Sequence, residues 1–415
     1  MTAGATAGAT AGAGGPPAAA GATAVQGPPV LRPTDLRELR DAVRDTPGTL
    51  LARGGGTKQD WGAPPERTDA VVSCGGLDGL VEHSPGDMVA IVQPGLSLGR
   101  LQEALAPSGQ WLALDPPLVD GGATVGGVVA TNDAGPRRQR YGAPRDLVIG
   151  VTVVLADGTV ARSGGRVVKN VAGFDLMRLY CGSLGTLGVL AEIVVRLHPL
   201  PEASRTLRIP ADPATATATT LALLASAAVP TAVDLAGGAL WIRLQGREAG
   251  VAAQCALVRR LAAGGEEPEE FQGSEEAEVW RRLTAAHAGG AGETVARAAT
   301  LPDRLPAVAA ALIEAAGRAG VEARLASHAG LGLHTARLSG GDARAHAAVV
   351  RDWRRTVAGL GGTVVLRRRI DGVDGLVDPW CDPGAPPSAL AVMRRVKAQL
   401  DPDRRWAPGR FVGGI

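Results

Sequence analysis

The chain is poor in the groups that announce most functions. Aromatic residues make up 3% of its 415 residues, with two tyrosines and three phenylalanines, too few for platforms on which bases stack. Neither sign of charge dominates: 43 Lys+Arg face 41 Asp+Glu, a formal +2. There is no electrostatic footprint for nucleic acid and no basic tail for a membrane surface. Cysteine is scarce, and Cys74, Cys181, Cys255 and Cys381 stand far apart without C-x-x-C or Cys/His clusters. This spacing argues against a disulfide scaffold, a local zinc site and an iron–sulfur motif in the chain, and it suits a reducing cytoplasm. No apolar run reaches the ~18 residues of a membrane helix, so no transmembrane segment is expected.

Glycine is abundant, with 58 residues, and its placement is informative. The opening "MTAGATAGATAGAGGPPAAAGATAVQGPP" has neither the basic start nor the apolar run of a secretory signal. Residues 1–28 read as a disordered low-complexity tail. From Val30 the chain becomes regular. "PTDLRELRDAVRDT" pairs a Thr/Asp capping signal with Leu36, Leu39 and Val43 at helical spacing. "TLLARGGGT", "DAVVSC" and "DMVAIVQPG" read as strands, "SLGRLQEALAPSG" as a helix, and "RDLVIGVTVVLADGTVAR" as a hairpin turning at Asp157-Gly158. A strand "GVLAEIVVRLHP" closes the region. Residues 201–370 follow the order βαββα, then βαββαβ, which predicts an antiparallel sheet with helices on one face. Between the two units, "EEPEEFQGSEEAE" reads as a solvated acidic linker.

Two glycine clusters carry the chemistry. "ARGGGTK", Ala52 to Lys58, lets the backbone turn and approach an anion closely. It is not a triphosphate loop, because Thr57-Lys58 reverses the required Lys-Ser/Thr order. Nor is it a dinucleotide fingerprint, because "QDWGAPP" cannot open a helix. The second cluster, "DGGATVGGVVATNDAGPRRQRYG", runs from Asp120 to Gly142. Two glycine loops gripping one diphosphate define a different nucleotide fold.

With "GGRVVKNVAGFDLMRLYCGSLGTLGVLAEIVVRLHP" added, the resemblance is specific. "RGGGT", "GGATVGG", "KNVAGFDL" and "GSLGTLGVL", in this order, resemble the FAD-binding domain of the vanillyl-alcohol oxidase and p-cresol methylhydroxylase superfamily. "VDPW…MRRVKAQLDPDRRWAPGR" resembles the superfamily's closing segment, which folds back onto the flavin domain. Within it, the chain is most similar to the second flavin-binding (E) subunits of bacterial glycolate oxidases. The resemblance implies an α+β protein: a two-subdomain p-cresol-methylhydroxylase-type FAD-binding domain (29–200), an α+β cap with an antiparallel sheet (201–370), and a C-terminal segment (371–415) returning to the first. It implies FAD held by Arg53, Gly54, Gly55, Gly56, Thr57 and Lys58 at the diphosphate. Gly121, Gly122, Ala123, Thr124, Val125, Gly126, Gly127, Ala130, Thr131 and Asn132 would follow along diphosphate and flavin. Gly185, Thr186, Leu187, Gly188, Val189 and Ile193 would lie toward the adenine. Thr57 stands where several relatives carry a flavin-linked histidine, so FAD is expected to be noncovalent.

Oxidising a 2-hydroxy acid takes a carboxylate clamp, a group that draws off the hydroxyl proton, and a flavin that takes the hydride. "SHAGLGLH" offers His328 and His334 where 2-hydroxy-acid relatives carry a metal-binding H-x-G-D-G-N-x-H. It is one residue shorter and lacks the Asp and Asn, so either a metal pair or a single histidine hydrogen-bonded near the flavin fits; no metal set is assigned. Arg337 is the favoured clamp, with Arg243 and Arg367 to Arg369 as others. Arg137 to Arg140 and Lys169 are further candidates near the flavin. His83, His198, His287 and His346 read as surface or internally satisfied residues. Leu184 and Ala407 replace residues common in catalytic relatives. Three functions stay open: an FAD subunit of a glycolate (2-hydroxy-acid) oxidase complex, with a related flavoprotein and an iron–sulfur chain as partners; a flavin-binding assembly or relay subunit with a decayed site; and a stand-alone FAD-linked alcohol oxidase. A cytoplasmic location is expected, touching the membrane only through partners.

Overall fold

The capping signal at Thr34-Asp35 acts locally. Asp35 Oδ1 accepts the Glu38 amide at 2.7 Å, and the helix Leu36–Asp45 buries Leu39 and Val43. A computed structural model describes Met1 and residues 27–166, 174–262, 267–380 and 387–415. Lys169, Cys381 and nearly all of the expected tail lie outside those residues.

Three short parallel strands, β1 (Val30–Leu31), β2 (Leu50–Arg53) and β3 (Ala70–Ser73), lie in the order β1-β3-β2. Next come β4 (Leu80–Ser84), β5 (Val89–Val92) and β6 (Gln110–Trp111), then β7 (Val148–Val154), β8 (Val160–Gly164), β9 (Val189–Arg196) and β10 (His198–Pro199). Five of these form an antiparallel sheet in the order β4-β5-β9-β7-β8, while β6 pairs with β10. Gly158, at φ +85°, makes the expected turn between β7 and β8, a conformation that costs glycine little. The C-terminal segment docks here. Leu50 donates to Arg405 O and accepts from the Ala407 amide, and Trp406 is fully buried beside Leu39, Val72 and Val154.

The second half is one eight-stranded antiparallel sheet. Its strands are β11 (Ala203–Pro210), β12 (Ala232–Ala236), β13 (Ala239–Gly246), β14 (Glu269–Gln272), β15 (Thr294–Ala299), β16 (Glu322–His328), β17 (Leu333–Ser339) and β18 (Thr363–Arg368). They lie in the order β14-β11-β13-β12-β16-β17-β15-β18. Side chains alternate across a strand. One face, with Leu207, Val233, Ile242, Ala296, Ala336 and Leu366, packs on the helices Pro213–Leu224, Glu248–Leu261, Leu305–Ala319 and Ala343–Gly359. The other face carries Thr206, Asp234, Arg243, Arg297, His328 and Arg367. It turns toward the first half, where Arg367 meets Asp133 and Arg368 meets Asp60.

The acidic linker is a correction. "EEFQ" is edge strand β14, paired with β11, and Gly273–Ala286 is a helix. Val279, Trp280 and Leu283 seal one end of the polar face, and Glu276, 2% exposed, accepts from Arg243 Nε at 2.9 Å. The acidic composition concealed an ordinary apolar stripe. The fold is α+β, and no described helix is long and apolar enough to cross a membrane.

Candidate functional site

The two glycine loops touch. A Cβ on Gly54 would stand 2.3 Å from Thr124 Oγ1, and one on Gly55 would stand 2.2 Å from the carbonyl oxygen of Gly122. Any side chain there would part the loops. Gly56, by contrast, has open space where a Cβ would be and φ +76°. The second loop runs directly into a helix, Val125–Thr131, whose N-cap Thr124 accepts the Gly127 amide. Gly126 packs against Pro94, where a Cβ would come within 2.5 Å. Between the loops lies a cleft holding about 730 Å³ of space free of protein atoms, partly open to solvent.

The cleft gathers Arg53 to Lys58, Thr124, Gly126, Gly127, Ala130, Thr131, Gly185, Gly188 and Val189 from the expected set. Gly122 supports it from behind Gly55, and Gly121 borders a neighbouring cavity. Ala123, Val125, Thr186, Leu187 and Ile193 are buried core residues rather than cleft wall. Asn132 is the left-handed cap of the helix, and its side chain accepts the Arg145 amide. Sequence reasoning missed Gln59, Cys74, Pro94, Tyr180, Ser183 and Arg410 in the wall. Arg410 donates to the carbonyls of Lys58, Gln59 and Trp61 and so pins the first loop from the C-terminal segment. Burial pushes the Cys74 thiol up to about 12, so it offers no thiolate. A bare backbone cradle with Arg53 and Arg410 in its wall fits the diphosphate of a long anionic cofactor.

Thr57 and Lys58 also line a second, smaller space, between the first loop and the polar face of the sheet. Asp60, Trp61, Asp133, His287 and Arg367 border it too. Above it sits a buried cluster. His328 Nδ1 and His287 Nε2 share Asp234, at 2.8 and 3.2 Å, and the two rings stack with centroids 3.9 Å apart. His287 Nδ1 meets Thr335 Oγ1 at 2.9 Å, and Arg297 Nη2 reaches both His328 Nε2 and Thr335 Oγ1 at 3.3 and 3.4 Å. Burial, and behind it the neighbouring His328, lowers the His287 pKa to about 3. For His328, burial outweighs the raising effect of Asp234. Asp234 is held below the usual carboxylate range: burial opposes this, but the two imidazoles outweigh it. At neutral pH the cluster is therefore an aspartate between two neutral imidazoles.

The ligand atoms of Asp234, His287 and His328 lie within 4.8 Å of one another, close enough for a metal. Charge and hydrogen bonding oppose it. All four ring nitrogens have partners, and the guanidinium of Arg297 stands 3.3 Å from one of them. A divalent ion there would face a fixed cation in a buried setting.

His328 and His334 do not share a face. His328 pairs with Leu333 and Ser327 with His334, so His334 points to the helical side. There it meets Ser327 Oγ and Thr300 Oγ1, both at 2.9 Å. Arg337 is committed to Glu293 through two bonds of 2.9 and 2.8 Å. Its guanidinium is a structural ion pair. His287, expected to be a bland helix-end residue, caps the helix Gly273–Ala286 and borders the small cavity. His346 is internally satisfied as expected, by Thr294 and Gly340 O.

Residues 28–164 match the family described as "FAD binding domain". The chain is 37% identical over 233 residues to glycolate oxidase subunit GlcE of Escherichia coli (strain K12), covering 56% of this chain and 64% of that one. It is 38% identical over 158 residues to glycolate oxidase subunit GlcD of Bacillus subtilis (strain 168), covering 38% and 33%. It thus spans less than two thirds of the curated relatives it matches. Among solved structures, p-cresol methylhydroxylase with substrate bound superposes with a TM-score of 0.73 at 15% identity, covering 92% of this chain and 88% of that one. The shared fold is that of the p-cresol methylhydroxylase type, and the cofactor of the matched domain is FAD.

Proposed function

We propose, from the premise that residues 28–164 are an FAD-binding domain, that this chain is an FAD-dependent oxidoreductase subunit acting on a small 2-hydroxy acid, glycolate first among them. The observation that carries this is the adjacency of the two spaces: Thr57 and Lys58 line both the glycine cleft and the cavity under the polar face. The backbone from Arg53 to Lys58, with Thr124, Gly126 and Gly127, would hold the FAD. When bound, FAD supplies the hydride acceptor for oxidation of a CH–OH group. The sheet's own contribution is to present the buried guanidinium charge of Arg367 to an anionic substrate, with Arg297 behind it against His328 and Thr335. The relatives' names as glycolate oxidase subunits support membership of a multi-chain assembly. With no cysteine cluster among the described residues, electrons would leave for an iron–sulfur chain. A cytoplasmic location follows from that assignment. The domain limits 29–200, 201–370 and 371–415 belong to the same proposal.

A second reading has its own observation. Both nitrogens of His287 and of His328 are engaged, and His334 faces away. Neither imidazole on the polar face is free to take a substrate proton. That favours a subunit that binds flavin while a related flavoprotein performs the oxidation. Anaerobic titration of the purified, FAD-loaded chain with glycolate separates the two. Bleaching of the flavin band supports the first reading; an unchanged spectrum, with bleaching only when the partner flavoprotein is added, moves the chemistry to the partner.

A further inference from the structure

Lys58 stands among the diphosphate contacts by sequence, yet its ammonium points elsewhere. The side chain is 6% exposed, and Nζ has no hydrogen-bond partner among the described residues. The closest carboxylate oxygen, Asp133 Oδ2, is 3.6 Å away and is itself without a hydrogen bond. The other oxygen of Asp133 accepts from Arg367 Nη1 at 3.2 Å, and the Arg367 guanidinium lies 3.9 Å over the Trp61 ring. A buried ammonium with three donors and no hydrogen-bonded acceptor is unfavourable. Burial, and to a lesser degree the Arg367 charge, draws its pKa down against the pull of Asp133.

The surrounding charge is unbalanced. Arg297 and Arg367 are cationic, since a guanidinium stays protonated even where burial opposes it, and the Asp133 carboxylate 3.6 Å from Lys58 favours its ammonium form. Asp133 and Asp234 are the carboxylates among them, and His287 and His328 are neutral at pH 7. Three buried cations face two carboxylates. The excess is positive, since Asp60 and Arg368 at the same cavity offset each other, and the small cavity bordered by Lys58, Asp133, His287 and Arg367 is the space in which to place an anion.

We propose that Lys58 is the anion-binding group of this cavity, its ammonium taking a carboxylate oxygen of a small monoanionic substrate rather than a phosphate of FAD. The identity of the anion as substrate rests on the function proposed above. The role is one of positioning: no bond to Nζ forms or breaks. Asp133 keeps the ammonium aimed into the cavity without satisfying it, because 3.6 Å is too long for a hydrogen bond.

The test compares acetate with acetamide, two probes of one shape that differ in charge, by equilibrium dialysis against the FAD-loaded chain. Neither has a hydroxyl to oxidise, so the result does not depend on whether the chain turns over glycolate alone. Acetate is expected to bind at least tenfold more tightly than acetamide. Lys58→Met is expected to keep about one FAD per chain and to lose that preference, and Lys58→Arg to keep most of it. Equal binding of the two probes by the wild-type chain would overturn the proposal and leave the ammonium to a bridging water. It is equally overturned if Lys58→Met sheds FAD while its FAD-loaded remainder still prefers acetate, the behaviour of a diphosphate ligand. Should Lys58→Met fail to fold, the wild-type ratio and the Lys58→Arg ratio decide alone, a value near one in either refuting the assignment.

Discussion

Mild acid should destabilise this protein well before most of its carboxylates titrate. Burial lowers the pKa of His287 to about 3 and of His334 to about 4. In the unfolded chain both return to about 6.5. A histidine whose folded pKa is depressed contributes full stability above 6.5 and loses it as pH falls toward the folded value. At pH 5 each therefore costs about 2 kcal/mol, at about 1.4 kcal/mol per pH unit per proton. Asp115 works the other way. Burial raises its carboxyl to about 6, so it takes up a proton in the native state and returns about 1.4 kcal/mol between pH 6 and 5. The net loss from pH 7 to 5 is roughly 3 kcal/mol. His328 and the half-buried His198, both lowered by burial, increase it. The lowered carboxylates, such as Asp69 and Asp212, lose their contribution only below about pH 4 and stay out of this window. Urea denaturation of the FAD-loaded chain at pH 7 and pH 5 measures the difference, with a constant m-value as the check on two-state behaviour. His334→Gln should remove one proton from the slope. Equal stability at the two pH values would refute the buried, neutral state of these imidazoles.

Other perturbations test separate parts of the account. Gly55→Ala places a Cβ 2.2 Å from a backbone carbonyl of the second loop, so the purified variant should carry less than a tenth of the wild-type flavin absorbance per chain. A full complement of flavin would show that the loops separate easily. Arg337→Met breaks the paired bonds to Glu293, which is largely buried. The expected cost is about 1–3 kcal/mol of stability, read by denaturation, with acetate affinity unchanged; a large loss of anion binding would restore Arg337 as the clamp. Lys397→Met removes an ammonium that holds Asp401 Oδ2, Thr186 O and Trp406 O at 2.6 to 2.8 Å. Leaving Asp401 buried without its counter-charge should cost about 3–5 kcal/mol and expose the C-terminal segment to limited proteolysis, and resistance equal to wild type would contradict its anchoring role.

Local chemistry made much of the fold legible in the sequence. The Thr34-Asp35 cap, the Asp157-Gly158 turn and the alternation in "GVLAEIVVRLHP" each act over a few residues, and each has its expected counterpart in the structure. The helix Gly273–Ala286 was hidden because its acidic outer face outweighed Val279, Trp280 and Leu283 in composition. The buried cluster was illegible for another reason. Asp234, His287 and His328 come from β12, a helix end and β16, and only the pairing of β12 with β16 brings the first and last together. The same holds for the histidine pair. The turn Ala329–Gly332 sets His334 opposite Ser327, and one step of register decides which face a strand side chain takes. Lys58 shows the limit of motif reading at a single atom. It borders the glycine cleft, while its ammonium stands 3.6 Å from Asp133, which borders another cavity.

The claim on which the rest depends is that the cleft between the two glycine loops holds FAD without a covalent bond. Acid precipitation of the freshly purified chain, with flavin measured in supernatant and pellet, tests it directly. About one FAD per chain is expected, all of it released to the supernatant. A chain without flavin that cannot be loaded with FAD, or a flavin that stays with the precipitated protein, would contradict it.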